Sequence, residues 1–346
     1  MKQMLLIDAR TLDPDHNLAL EEYVFSHMPR DKEYLILWQN DNAVIIGRHQ
    51  NTLAEIDAQY VKAHNIRVVR RMSGGGAVYH DLGNLNFSFI VDAAGSQVDL
   101  ERFCLRIALA LGELGLDARL DGRNDILAEG CKISGNAQYM REGRVMHHGT
   151  LLFDSDLSVL SKALKPDPEK IKAKGVKSVR SRVANIRSLL KQDMTLDQFR
   201  DHLARYLLGG DGMRYELTQQ DLAKIEAIRA QRYGTWEWNY GASAQCDLER
   251  RVRIEGVGTV RAHIRLDHGR IADVTFTGDF FSTIEPAGLS ALLRGRPLTQ
   301  EALQDVDPAP YISGMTGEAL RHLLLEGSIA ISNTMMKSQR KFLWLF

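Results

Sequence analysis

Three consecutive glycines occupy positions 74–76, between two apolar runs at residues 66–69 and 85–91. Two arginines precede the glycines and a Tyr-His pair follows them, so the order predicts a strand, a tight turn and a second strand. Because glycine lacks a Cβ, a ligand can approach the main chain closely and N–H groups can converge on an anion. The pattern is not a P-loop, since no Gly-Lys-Ser/Thr follows, and no helix begins after it as in a dinucleotide fingerprint. We interpret it as a candidate phosphate-binding turn; the alternative is a purely architectural turn.

A second string, Gly-Arg-Asn-Asp at residues 122–125, places Asn124 and Asp125 at the start of a predicted strand. Their side-chain oxygens suit Mg²⁺, which binds together with phosphates through one or two carboxylates and several waters. The same residue types also favour an ordinary turn, which stays the alternative.

Lys132 begins a further predicted strand and is followed by Ser134 and Gly135. A lysine there can place a compact charge on a phosphate or a developing oxyanion, and the glycine indicates a close approach to the backbone. The alternative is a solvent-facing lysine on a sheet edge. Cys131 beside it is a candidate nucleophile, but it would need an oriented base, and it alternates faces with Lys132 if both lie on a strand. We therefore favour charge stabilisation by Lys132 over nucleophilic catalysis by Cys131.

His147 and His148 are adjacent on a predicted strand, so their side chains point to opposite faces and cannot chelate one metal together. We expect one of them to line a pocket and the other to be a hydrogen-bonded core histidine.

The segment 162–187 carries nine lysines and arginines against two acidic residues, and its prolines and glycine predict irregular structure. A cationic loop of this kind can close over a bound intermediate and exclude water, or attract an acidic partner domain. The alternative is a solvated charged loop; the absence of aromatic residues argues against nucleic acid binding.

Composition limits the class of protein and its partners. The chain has 346 residues, of which 44% are hydrophobic, and this length predicts about two globular domains. Its formal net charge is zero, so its overall charge does not favour binding to nucleic acid or to an anionic membrane. Three widely spaced cysteines favour a reducing compartment and argue against a disulfide framework or a structural zinc site. The N-terminal apolar run is too short for a signal peptide or a membrane span, so we expect a soluble cytoplasmic protein.

The elements that must position these residues alternate between strands and helices. Predicted strands are 34–39 and 43–47 as a hairpin, 118–120, 126–128, 132–139 and 145–153. Predicted helices are one capped by Asp15 or Asn17 and reaching Met28, then 57–65, 99–114, 196–208 and 219–232. From about residue 251 the pattern restarts as a three-strand meander with two helices, 286–293 and 316–325, and the apolar end of the chain is expected to dock on it. Short turns between most strands predict the α+β class with a mixed sheet.

These strings together resemble the lipoate–protein ligase family. The resemblance covers nearly the whole chain, at residues 17–19, 46–48, 70–84, 122–127, 132–137, 147–151, 174–183 and 236–241. It implies a large catalytic domain with mixed sheets flanked by helices (residues 1–245) and a small α+β C-terminal accessory domain (residues 250–346), with a hinge near 241–247. A biotin ligase would carry Gly-Arg-Gly-Arg in place of the glycine turn.

The resemblance also implies a reaction and a site. Lipoate is activated by Mg-ATP to lipoyl-AMP, and the lipoyl group passes to a lysine of a carrier domain. Lys132 is the implied catalytic residue, in contact with the lipoyl carbonyl and the α-phosphate, and Asp125 the implied Mg²⁺ ligand. The implied nucleotide- and intermediate-binding residues are Arg71, Gly75, Gly76, Ala77, Val78, Tyr79, Asn124, Lys132, His148 and, in an adenylate-binding loop at about 170–185, Gly175, Ser178, Val179 and Arg180.

The implied substrate is (R)-lipoate, and the implied partners are lipoyl domains of 2-oxoacid dehydrogenase complexes and the H protein of glycine cleavage. The chain is expected to act as a monomer. Three alternatives stay open: a transferase that uses preformed lipoyl-AMP, an octanoyl or lipoyl transferase that uses Cys131, and a non-enzymatic binding protein.

Overall fold

The computed structural model describes residues 2–50, 52–93, 99–122, 124–164, 183–210, 212–240, 248–267 and 270–329. The chain divides into two compact units, residues 1–242 and 243–346. Most of the expected adenylate-binding loop, the expected hinge and the apolar C-terminal end lie outside the described residues. Within the described ranges, no helix has the length and apolar character needed to cross a bilayer.

The first unit is built on two sheets. Its described strands are β1 (Met4–Asp8), β2 (Glu33–Trp38), β3 (Ala43–Ile46), β4 (Arg67–Arg70), β5 (Val78–His80), β6 (Asn84–Asp92), β7 (Ala118–Asp121), β8 (Asp125–Ala128), β9 (Cys131–Arg141) and β10 (Arg144–Leu152). The seven-stranded main sheet has the order β1-β2-β6-β10-β9-β8-β7, and the three-stranded small sheet has the order β4-β3-β5. Both sheets contain parallel and antiparallel pairs, as the predicted mixed α+β class requires.

Helices pack on both faces of the main sheet and on the small sheet. They are α1 (Pro14–His27), α2 (Thr52–Glu55), α3 (Ala58–Ala63), α4 (Glu101–Gly112), α5 (Leu157–Ala163), α6 (Leu196–Leu208), α7 (Gln219–Ile228) and α8 (Trp236–Asn239). The expected cap of α1 is wrong: Asp13 caps the helix, because its side chain accepts from the Asp15 N–H and Pro14 occupies the first turn.

The predicted hairpin of residues 34–39 and 43–47 is also wrong. The two strands form, but β2 lies in the main sheet, whereas β3 pairs with β4 and β5 in the small one. This arrangement buries both faces of β3, with Ile45 in the core shared with α1 and Val44 in a separate cluster with Tyr79. The glycine turn consequently joins β4 to β5 across the end of β3 and is not the turn of a hairpin.

Strand β6 explains where the site forms, because its two faces differ in chemistry. Its odd-numbered apolar residues, Leu85 to Val91, enter the core with α4 and α6, whereas Asn84, Asn86 and Ser88 are buried on the opposite face together with Ile90. Alternation along a strand places these three polar side chains in one row. Buried polar groups need hydrogen-bond partners. A row of them in the middle of a sheet therefore indicates a role other than core packing.

The second unit contains the predicted meander. Its strands are β11 (Leu248–Ile254), β12 (Gly258–Asp267) and β13 (Arg270–Gly278), with β14 (Ser328–Ile329) beside β11. The predicted helices form as α9 (Ala287–Leu293) and α10 (Gly317–Glu326), and they pack against one face of this sheet.

Candidate functional site

Lys132 and Asp125 meet where β9 and β8 pair. Lys132 Nζ lies 2.7 Å from Asp125 Oδ1. The pairing register shifts at this point, so that Ile133 is an extra residue in β9, which is a β-bulge. The Lys132 Nζ lies 3.2 Å from the position that a Cβ on Gly135 would occupy. The bulge thus directs the Lys132 side chain along β9, into the space that is free because Gly135 has no Cβ.

Asn124 holds the end of this hairpin. Its side-chain amide donates to the Asn136 carbonyl at 2.8 Å, and the Asn136 main-chain N–H donates to the Asn124 carbonyl at 2.9 Å. The expected role of Asn124 in nucleotide binding stays a prediction. Its contacts show that it fixes the strand start from which Asp125 projects.

The glycine turn is held from inside by Arg71. Its Nη2 donates to the carbonyls of Gly74 and Gly76 at 2.7 and 2.8 Å, and its Nη1 donates to the Ile45 carbonyl at 3.2 Å. Burial lowers the pKa of Arg71 to about 10, although Glu21 acts to raise it, so Arg71 is charged at neutral pH. Since the carbonyls of Gly74 and Gly76 are bound to Arg71, the N–H groups of the turn are left for another partner.

No described residue accepts a hydrogen bond from the main-chain N–H groups of residues 74–77. Gly75 has a φ of 91°, a conformation that glycine adopts without the strain of a side chain. Gly76, Ala77 and Val78 are partly exposed, whereas the Tyr79 side chain lies on the far side of the small sheet, where its hydroxyl donates to Asn42. The turn therefore has the open N–H groups that an anion-binding turn requires.

His148 connects the turn to the main sheet. Its Nε2 lies 2.6 Å from Ser73 Oγ, and its Nδ1 lies 2.8 Å from Glu21 Oε1. Two residues further along β10, Thr150 Oγ1 accepts from the Gly135 N–H at 3.2 Å. Alternate residues of a strand share a face and are about 6.6 Å apart. The glycine turn and the ammonium group of Lys132 therefore lie over the same face of the main sheet.

The His147 side chain points to the opposite face of the main sheet from His148, as predicted from the alternation of side chains along a strand. It is fully buried and stacks on Phe103 at a centroid distance of 4.7 Å. Burial lowers its pKa well below the ordinary value, so the ring is neutral. Its Nε2 lies 3.3 Å from Asn136 Oδ1, but its Nδ1 has no partner among the described residues, so the expected core histidine is only partly satisfied.

Cys131 does not form a nucleophilic site with any described residue. Its thiol is partly exposed, and no hydrogen bond joins it to a described base. Across the described ranges, no group of three or more His, Cys, Asp or Glu side chains is arranged to hold a metal ion.

The expected loop residues Gly175, Ser178, Val179 and Arg180 lie outside the described residues. Their flanks are described: Leu164 forms a bridge to Ile56, and Val183 forms a bridge to Lys132. The described residues that flank this loop therefore lie beside the small sheet at Leu164 and beside the lysine at Val183.

Glu21, Ser73 and Thr150 also contact the site, although none of them is among the residues predicted from the sequence. For Glu21 a signal was available, because it lies three residues after Leu18 and three before Val24, within the apolar side of α1. An acidic residue on a buried helical face needs a partner, which here is His148. Ser73 and Thr150 carry no such signal, since small hydroxyl residues are common in turns and strands.

Comparison with known proteins identifies the family. Residues 13–208 match the family described as lipoyl protein ligase A/B catalytic domain, and residues 243–324 match the bacterial lipoate protein ligase C-terminus. The lipoate-protein ligase LplJ of Bacillus subtilis (strain 168) is 44% identical over 331 residues, which cover 93% of this chain and 100% of that protein.

Two solved structures are similar over the larger part of the chain. A lipoate-protein ligase A bound with ATP is 32% identical with a TM-score of 0.59, covering 69% of this chain and 98% of its own. A bipartite lipoate protein ligase of Thermoplasma acidophilum, described with its E2 lipoyl domain, is 33% identical with a TM-score of 0.61, covering 71% and 99%. Since the catalytic-domain match alone spans more than half of the sequence, this chain belongs to the lipoate–protein ligase family.

Proposed function

We propose that the chain activates lipoate with ATP and transfers the lipoyl group to a lysine of a carrier domain. The observation that carries the proposal is the position of Lys132 Nζ and of the open N–H groups of residues 74–77 over the same face of the main sheet. A phosphate bound at the turn would bring its ester and acyl oxygens toward the lysine. The ATP-bound structure of a 32% identical ligase supports the nucleotide as substrate.

The reaction has two steps. In the first, the lipoate carboxylate attacks the α-phosphorus of ATP; an acyl–phosphate anhydride forms and pyrophosphate leaves. In the second, the ε-amine of the carrier lysine attacks the acyl carbon, the amide forms, AMP leaves and the amine proton passes to solvent. Neither step needs a covalent enzyme nucleophile, so positioning and charge stabilisation supply the catalysis.

Each group has an assigned role. Lys132 stabilises negative charge on the α-phosphate and on the acyl oxygen in both steps. The main chain of residues 75–79 binds phosphate and nucleotide, and Arg71 keeps that turn in shape. Asn124 supports the strand start beside the phosphates, and His148 lines the space over the main sheet between the glycine turn and Lys132. Gly175, Ser178, Val179 and Arg180 are assigned to the activated intermediate.

We propose that Mg²⁺ binds beside the lysine, at Asp125. Asp125 supplies one carboxylate at the strand start, and Mg²⁺ bound with nucleotide phosphates commonly takes one or two carboxylates and water for its other positions. Asp125 would hold the ion, with the Asn124 side chain adjacent. The ion would neutralise phosphate charge as pyrophosphate leaves.

The proposed carriers are lipoyl domains of 2-oxoacid dehydrogenase complexes and the glycine cleavage H protein, and the substrate is (R)-lipoate. The Thermoplasma ligase described with an E2 lipoyl domain supports the first of these. We further propose residues 1–245 as the catalytic domain and residues 250–346 as the accessory domain of a cytoplasmic monomer that binds no nucleic acid and no membrane.

Lipoate-dependent release of pyrophosphate from Mg-ATP, without carrier, tests the proposal. A burst of about one equivalent, followed by turnover when a lipoyl domain is added, supports it. Transfer from supplied lipoyl-AMP without any burst would restrict the chain to a transferase. Failure of both would leave a binding protein and contradict the proposed ligase activity.

A further inference from the structure

Glu21 lies at the centre of a buried chain of polar side chains. It is 1% exposed, and its Oε1 accepts hydrogen bonds from the Ser88 hydroxyl and from His148 Nδ1. Ser88 in turn accepts from the Trp38 indole N–H at 2.8 Å. Helix α1, which carries Glu21, thus contacts the polar face of the main sheet through one carboxylate oxygen.

The chain continues from His148 to the glycine turn. His148 Nε2 contacts Ser73 Oγ, which also accepts from Arg71 Nε at 3.0 Å. Arg71 then holds the carbonyls of Gly74 and Gly76. Four hydrogen bonds in sequence therefore connect the carboxylate on α1 with the carbonyls that shape the turn.

The direction of these hydrogen bonds follows from donor and acceptor chemistry. An ionised carboxylate only accepts, so His148 Nδ1 donates to Glu21. When the ring is neutral, Nε2 is then the acceptor and accepts a hydrogen bond from the Ser73 hydroxyl, whose oxygen accepts in turn from Arg71 Nε. Glu21 thereby fixes the tautomer of His148 and, through it, the orientation of Ser73. It also supplies the negative charge that favours the charged form of buried Arg71.

We propose that Glu21 is a positioning residue for ATP, which keeps the N–H groups of the glycine turn in their binding orientation through His148, Ser73 and Arg71. This inference rests on the proposed function of the turn as the nucleotide site. Without the carboxylate, the His148 ring can take the other tautomer, Ser73 loses its fixed orientation and Arg71 loses its counter-charge. A displacement of about 1 Å in a binding group can cost about a hundredfold in rate.

The test compares Glu21→Ala and Glu21→Gln with the unsubstituted chain. Glutamine keeps an oxygen that can accept both hydrogen bonds but removes the charge, so its effect should be the smaller. We expect Glu21→Ala to raise the KM for ATP in lipoate-dependent ATP–pyrophosphate exchange by about tenfold or more. Calorimetric titration with ATP should show weaker binding by a similar factor.

Asp221→Asn is the matched control, because Asp221 is another buried carboxylate that anchors α1, through Tyr23. It should lower the thermal midpoint of unfolding without changing the KM for ATP. If Glu21→Ala acts only in this way, with KM and ATP affinity within twofold of the unsubstituted chain, the positioning role is refuted.

A double-mutant cycle with Ser73→Ala tests the connection itself. Both substitutions break the same chain, so their effects on ATP affinity should be strongly non-additive. Additive effects would contradict the proposal, even if each single variant weakens ATP binding. If Glu21→Ala does not fold, Glu21→Gln carries the same cycle. Absence of exchange in the unsubstituted chain would instead contradict the proposed ligase function, whereas the calorimetric comparison would still decide the role of Glu21.

Discussion

Lys132 Nζ and Asp125 Oδ1 form an ion pair of 2.7 Å across the pairing of β9 with β8. The lysine is 36% exposed and the aspartate 13%, so the pair lies at the border of solvent, where substrates can reach it. A lysine side chain loses much rotamer freedom when it is fixed, and the carboxylate compensates for part of that cost before substrates bind. The same carboxylate limits where the ammonium group can point.

Replacing Lys132 with methionine should abolish both half-reactions. The substitution keeps most of the length of the side chain but removes the charge that stabilises the phosphate and acyl oxygens, and loss of one such group costs about 10²- to 10³-fold in rate. Pyrophosphate burst amplitude and transfer from supplied lipoyl-AMP measure the two steps. Lys62→Met, on the exposed side of α3, is the control for loss of a lysine. Near-normal activity of Lys132→Met would refute its assignment.

Gly135→Ala should impair activation with little effect on stability. The added Cβ would lie 3.2 Å from Lys132 Nζ and 3.4 Å from its Cε, and the end of a flexible side chain can move away. We expect a decrease of about tenfold in the rate of pyrophosphate release, because the displaced ammonium group no longer meets the phosphate. Stopped-flow release and thermal unfolding separate the two effects. An unchanged rate would show that the open space above Gly135 is not needed.

Gly149→Ala should destabilise the fold. Its Cβ would meet Asn136 Oδ1 at 2.3 Å and the Phe87 ring at 2.5 Å, and overpacking of this kind costs about 1–3 kcal/mol. Gly112→Ala at the end of α4 is the counterpart, since its Cβ meets nothing within 4 Å and alanine favours the helix by up to about 1 kcal/mol. Denaturant unfolding of both variants should give changes of opposite sign; equal midpoints would contradict the packing argument.

Asp221 should make the free energy of unfolding depend on pH in the acidic range. Burial acts to raise its pKa, but hydrogen bonds from Tyr23 and Thr218 outweigh burial and lower the pKa to about 2. A depressed pKa means that the folded state holds the carboxylate ionised, so its contribution is complete above about pH 4 and is lost as pH falls toward 2. Asp221→Asn should cost about 2 kcal/mol at pH 7, because a neutral amide oxygen accepts the three hydrogen bonds at the former Oδ2 more weakly than a carboxylate, and its N–H₂ cannot accept from the Tyr23 hydroxyl.

Denaturant unfolding between pH 2.5 and 7 measures the difference between Asp221→Asn and the unsubstituted chain. The difference should shrink as the pH falls below about 4. A constant difference would show that the charge of Asp221 does not contribute.

Local patterns in the sequence predicted single elements well and their pairing less well. Helix α6 and the strands β8 to β10 follow from apolar periodicity and turn residues, which are short-range signals. The sequence alone did not indicate that β2 and β3 belong to different sheets, because pairing depends on which distant strand covers each apolar face. Likewise, Lys132 and Asp125 were recognisable by type and place, whereas the aim of the lysine depends on a bulge at Ile133 that no local residue signals.

The glycine turn crosses the end of β3, and this has a consequence for insertions and deletions. Val78 faces the core shared with α1, and Tyr79 faces the opposite cluster. Because side chains alternate along a strand, an inserted residue that slipped β5 by one position against β3 would exchange these two faces and bring the bulky Tyr79 ring into the core shared with α1. An insertion between β4 and β5 is therefore compatible with this core only where the added residue stays in the turn and leaves the register of β3 with β5 unchanged.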